Sequence, residues 1–161
     1  MLSDQEILAL IEEEKILPEN FRQTLEIKNK SDLAHKECDI MAKSRSGKDF
    51  VVTIRVNIHD KFDFSIILMY VDDRKIRYIL KRYNGRHQHK NIIERNKILG
   101  FHIHTGTERY QRLLKRIDGF AEITDAYNNW DGAFAQMIID CNFRAENTFI
   151  ITPLASFLAS N

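Results

Sequence analysis

Phe50-Val51-Val52-Thr53-Ile54-Arg55-Val56, Phe64-Ser65-Ile66-Ile67-Leu68-Met69-Tyr70-Val71 and Ile76-Arg77-Tyr78-Ile79-Leu80-Lys81-Arg82-Tyr83 decide the fold. Each run is rich in β-branched and aromatic residues, which suit a pleated, half-buried surface. Asp60-Lys61 and Asp72-Asp73-Arg74-Lys75 separate them, and connections this short join antiparallel neighbours. Upstream, residues 36–43 alternate polar and apolar, and Arg45-Ser46-Gly47-Lys48 supplies a turn signal. The segment 31–43 reads as strand or helix, and the strand reading completes a four-stranded meander. Downstream, Asn84-Gly85 ends the fourth strand, and the polar, basic segment 86–99 reads as a loop or short helix. Phe101-His102-Ile103-His104-Thr105 reads as a fifth strand.

Helices flank this sheet. Ser3 and Glu6 have the spacing of a capping box, with Ile7, Leu10 and Ile11 on one face behind it, to about Lys15. Pro18 stops that helix, and its Glu12-Glu13-Glu14 run reads as a solvated face or a dock for a basic surface. A second helix is expected after Gly106, burying Tyr110, Leu113, Leu114 and Ile117 and closing at Gly119. A third runs from about Trp130 to Asn142, capped by Asn129 or Asp131. Thr148 to Pro153 reads as a short strand or docking segment. The expected fold is therefore α+β: a curled antiparallel sheet of about five strands in a meander, with an N-terminal helix and C-terminal helices packed on it.

A chain of 161 residues, 43% hydrophobic and 29% charged, suits one globular domain over 1–161. No apolar run approaches the ~20 residues of a membrane span. The polar, acidic Met1-to-Glu6 start does not read as a secretory signal, so a cytoplasmic protein without a membrane partner is expected. Cys38 and Cys141 read as buried thiols.

Charge is distributed unevenly. Arg74 to Arg116 carries thirteen basic side chains against Glu94 and Glu108. Residues 1–40 hold ten acidic against five basic, and residues 117–161 six against one. A field of one sign at that density points to a polyanion, nucleic acid above all. Internal cancellation of basic middle by acidic ends is the competing explanation.

Four of the six histidines lie in the same window, as His87-Gln88-His89 and His102-Ile103-His104. On a strand, His102 and His104 share a face opposite Phe101, Ile103 and Thr105. The imidazoles are expected to face solvent or a cleft, with His87 and His89 on a loop folding back over it. Imidazole titrates near working pH and serves as both acid and base, so these four are candidate catalytic residues of a metal-independent ribonuclease. Arg82, Arg86, Lys90 and Arg109 would bind phosphates, and Tyr83 and Tyr110 would stack on bases. Two alternatives stand beside it: a non-enzymatic module binding nucleic acid or an acidic protein, and a protein with a His-ligated divalent metal. Acid–base use requires no cofactor, and the dense positive field opposes a divalent cation.

Strands ending in Arg82-Tyr83, followed by His87-Gln88-His89-Lys90, resemble the small TumE-like toxins of bacterial toxin–antitoxin loci over the middle third of the chain. The chain departs from them in the His102–Thr105 strand and about fifty further residues. The resemblance implies a small bacterial or phage toxin or defence-associated protein that acts on nucleic acid, with an antitoxin or other protein partner.

Overall fold

The structure, a computed structural model, describes residues 1–19, 21, 28–29 and 34–145. Helix α1 (Asp4–Glu12) leads into β1 (Lys15–Leu17), β2 (Lys28–Asn29), β3 (His35–Ser44), β4 (Asp49–Asn57), β5 (Phe64–Val71), β6 (Arg77–Asn91) and β7 (Asn96–Thr105). Helix α2 (Glu108–Leu114), β8 (Phe120–Ile123), α3 (Trp130–Asp140) and β9 (Phe143–Ala145) follow. The fold is α+β, as expected. The strands lie in the order β8-β7-β6-β5-β4-β3-β1-β9, with β2 pairing the far end of β3. The sheet is larger than the expected five strands, and it is mixed, because β1 and β9 pair in parallel. Strands β1 and β9 have three residues each, too few to show an alternation in sequence.

The meander β3–β6 is antiparallel throughout. Gly47 (φ 88°) turns β3 into β4, and Asp72 organises the β5–β6 reversal by accepting from the Arg74 and Ile76 amides at 3.0 and 2.8 Å. One sheet face carries the core: Cys38, Ile40, Phe50, Val52, Ile54, Phe64, Ile66, Leu68, Leu80 and Tyr83. Ile7, Leu10 and Ile11 of α1 and Phe134, Met137 and Ile138 of α3 cover it. The capping box at Ser3 and Glu6 forms, and Asn129 caps α3 through the Gly132 amide at 2.7 Å. Burying these side chains, at ~25 cal/mol per Å² of apolar surface, is what holds helices this short. Lys15 is fully buried, its Nζ donating to the carbonyls of Ile11, Glu13 and Cys141 at 2.8, 2.7 and 3.0 Å.

Three local expectations are corrected. Residues 86–99 are neither loop nor helix; they extend the β6–β7 hairpin. Along the β6 half of that ribbon, Arg86 to Asn91, both faces are polar, and on the β7 half Ile98 and Leu99 are consecutive apolar residues, so no two-residue period is visible. Helix α2 buries only Tyr110, while Leu113 is 65% exposed, and it closes at left-handed Lys115 (φ 55°). Gly119 instead lies flat on Tyr110, where a Cβ would stand 2.0 Å from the ring. The acids after α1 turn to the β3–β4 reversal, Glu13 with Lys48 and Glu14 with Arg45, and not to the basic window. The Thr148–Pro153 segment lies outside the described residues. Among the described residues no helix is long and apolar enough to cross a membrane.

Candidate functional site: a histidine cluster beneath a basic hairpin

Two residues of β6, Gly85 and Arg86, stand opposite the single Phe101 of β7, so that Asn84 pairs with His102 and His87 with Gly100. This β-bulge resets the alternation. Without it, Asn84 and His87 would point to opposite faces. With it, His87 and His89 join Asn84, His102 and His104 on the face away from the core. Gly85 is required at the bulge: a Cβ there would stand 1.8 Å from the Phe62 carbonyl oxygen. The Arg86 amide donates to that same oxygen at 2.7 Å.

The four imidazoles converge. Ring centroids are 4.8 Å apart for His87 and His102, 4.5 Å for His89 and His104, and 5.0 Å for His102 and His104. They do not face solvent equally. His102 and His104 are 0% and 1% exposed, whereas His87 is exposed and His89 half-buried. The expectation that His102 and His104 face solvent or a cleft is therefore corrected. The distal hairpin bends over them.

Burial demands that their polar atoms be satisfied. His102 Nδ1 donates to the Gly100 carbonyl at 2.7 Å, and His104 Nδ1 to the Asp118 carbonyl at 2.8 Å. These bonds fix the tautomers and leave both Nε2 atoms as acceptors. The Asn84 Nδ2 group meets them at 3.3 and 3.0 Å, with His87 Nε2 also 3.3 Å away. Ser65 Oγ donates to Asn84 Oδ1 at 2.7 Å, which turns the amide nitrogen toward the imidazoles. Burial is the largest cause of a fall in pKa to about 4 for His102 and about 3 for His104, with the neighbouring histidines and Arg82 adding to it. Both are neutral over the working range. Burial also lowers His87. Asn84 stands where three imidazoles meet, and among the described residues no group of three or more His, Cys, Asp or Glu is disposed to hold a metal ion.

The hairpin is strapped down at its far end. Asn91 donates to the Ala121 carbonyl at 2.8 Å and accepts from the Ala121 amide at 2.9 Å, taking the place of a neighbouring strand on the open edge of β8. His89 Nε2 lies 3.0 Å from the Gly119 carbonyl oxygen and 3.1 Å from Asn91 Oδ1. Tyr110 is fully buried and donates to Glu94 at 2.5 Å, and Arg109 pairs with the same carboxylate. Tyr83 is fully buried in the core and donates to Asp140 at 2.9 Å. Neither tyrosine is available to stack on a base, because their rings fill the interior. Arg82 pairs with Asp118 at 2.6 Å, and Arg116 lies 3.1 Å from the same carboxylate. Burial raises the Asp118 pKa, but the two guanidinium groups outweigh it and hold the carboxyl below its ordinary range.

Eight of the thirteen cations between Arg74 and Arg116 thus find a carboxylate: Arg74, Lys75, Arg77, Lys81, Arg82, Arg109, Arg112 and Arg116. Arg86, Lys90, Arg95, Lys97 and Lys115 are exposed and make no ion pair among the described residues. Four of those five sit on the distal β6–β7 hairpin. Lys90 and Lys97 are direct cross-strand partners on it. Arg86 and Lys90 were legible as candidate contacts. Arg95 and Lys97 were missed, and only the strand register marks them. No family model, curated protein or solved structure matches this chain.

Proposed function

We propose that the chain is a nucleic-acid-binding module that engages phosphates through the distal β6–β7 hairpin. The observation that carries this reading is the Lys90–Lys97 pair. Like charges directly opposite across two strands oppose pairing, and elsewhere in the basic window eight cations are neutralised by neighbouring acids. A cation pair with no acidic partner is favourable when a polyanion supplies the counter-charge. The strap at Asn91 and Glu94 holds the ribbon in place, so little ordering entropy is lost on binding.

A ribonuclease reading, in keeping with the TumE-like resemblance, is favoured by one observation: His87 is an exposed imidazole in contact with the buried histidine pair, its ring 4.8 Å from that of His102. In that reading His87 exchanges the proton with solvent and substrate, while His102 and His104 act as its buried support. One experiment addresses both. Labelled single-stranded RNA is titrated with the wild-type protein and with Lys90→Glu/Lys97→Glu, and cleavage is scored in the same samples with and without EDTA. Retarded, uncut RNA that the charge reversal releases supports the binding module. Cleavage that survives EDTA and disappears in His87→Ala supports the nuclease. RNA held equally by the charge-reversed protein overturns the hairpin as the contact surface.

A further inference from the structure

Arg86 differs from every other unpaired cation of the hairpin in what lies beneath it. Its guanidinium carbon stands 5.0 Å from the centroid of Phe62 and 5.4 Å from that of Phe101. The two rings meet edge to face at 6.2 Å, and Lys61 Nζ also lies on Phe62, at 5.0 Å. Phe101 in turn stacks on buried Phe64, with centroids 6.2 Å apart. The stack is therefore anchored in the core at one end and open to water at the other. Phe62 and Phe101 are half-buried, and Arg86 and Lys61 are exposed with no ion pair among the described residues.

The backbone beneath the stack is equally fixed. The bulge places Arg86 opposite Phe101, the Arg86 amide bonds the Phe62 carbonyl, and Gly85 presses against the same carbonyl. A bulge commonly re-aims a side chain; here it takes Arg86 off the histidine face and lays it on the aromatic pair. A guanidinium plane supported by aromatic rings, with an open edge, is a surface on which an unstacked base lies and beside which a phosphate binds. Duplex bases have no free face for such a platform.

We infer that Arg86, Phe62 and Phe101 form a base-stacking platform and that the ligand is single-stranded nucleic acid. This rests on the hairpin as the polyanion contact. The phosphates run along Lys90, Lys97 and Arg95, and one base at the bulge end lies on the Arg86 plane. Arg86→Lys keeps the charge and removes the plane, so it separates stacking from electrostatics.

The test uses a single-stranded oligoribonucleotide carrying 2-aminopurine, its duplex with the complementary strand, and the full chain. Wild-type protein is expected to quench 2-aminopurine in the single strand and to bind it more tightly than the duplex. Arg86→Lys should lose the quench and about tenfold in affinity, with the salt dependence unchanged. Lys115→Ala, which removes an unpaired cation elsewhere, should keep the quench. Equal binding of duplex and single strand, or an undiminished quench in Arg86→Lys, overturns the platform and leaves the polyanion reading standing. No binding of either probe at low salt overturns both.

Discussion

Asn84 and His102 face one another across β6 and β7, and the amide of the first satisfies the buried Nε2 of the second at 3.3 Å while reaching His104 at 3.0 Å. The polar interior beneath the hairpin is organised around this one amide. Asn84→Ala would strand two buried imidazole acceptors and the Ser65 hydroxyl. A loss of ~2–4 kcal/mol is expected, read as a lower urea midpoint with the slope unchanged. A midpoint within error of wild type would show that the imidazoles find other partners.

Acid should weaken the fold through the same two side chains. Their folded pKa values, about 4 and about 3, lie below the ordinary imidazole value of 6.5. Between those limits the unfolded chain binds more protons than the folded one. Their contribution is therefore complete above about pH 6.5 and is lost as pH falls toward 3. Each unit of separation corresponds to ~1.4 kcal/mol, so the loss reaches several kcal/mol. Urea midpoints from about pH 7 down to about pH 4.5 check this. A flat profile would contradict neutral, buried imidazoles.

The bulge is predicted to be intolerant of any side chain. In Gly85→Ala the new methyl would meet the Phe62 carbonyl at 1.8 Å. Either the Phe62 loop moves or the bulge opens, at ~2 kcal/mol or more, and both displace Arg86. The variant should melt earlier and bind RNA more weakly. Gly47→Ala, at a position with open space around it but with φ 88°, should lower stability and leave binding intact.

Asp118 separates a buried ion pair from an exposed one. Asp118→Asn leaves Arg82 largely buried without its carboxylate, and a cost of ~2–3 kcal/mol is expected. Arg116→Ala removes the exposed partner and should change stability by less than ~1 kcal/mol. Equal effects of the two substitutions in chemical denaturation would contradict this reading of the pair.

Much of this architecture is legible in the residues. The β-branched runs at 50–56 and 64–71 mark the central strands, because both sides of those strands pack. Ser3 with Glu6, and Asn129, mark helix starts through short-range hydrogen bonds. The common face of His102 and His104 follows from their spacing alone. What is hidden depends on register. Nothing local distinguishes Gly85-Arg86 as a bulge from a turn, and that bulge decides which face His87 and His89 join. The burial of His102 and His104 depends on Asn84, Gly100 and Asp118, which are distant from one another in sequence. Tyr83 and Tyr110 look like surface aromatics in a basic segment, yet Asp140 and Glu94 accept their hydroxyl protons in or at the edge of the interior. The basic window overstates the free charge, since most of it is cancelled: Arg74, Arg112 and Arg116 by acids two to four residues away, and Lys75, Arg77, Lys81, Arg82 and Arg109 by acids that the fold brings near.

On the proposed reading the free charge on the hairpin grips a polyanion, and the salt dependence of RNA binding reads that grip. With Arg86, Lys90, Arg95 and Lys97 each neutralising a phosphate, a plot of log K against log salt for single-stranded RNA should have a slope of about −3. Lys90→Ala/Lys97→Ala should reduce its magnitude by about 1.4. A slope near zero, or one that the double substitution leaves unchanged, would contradict the account.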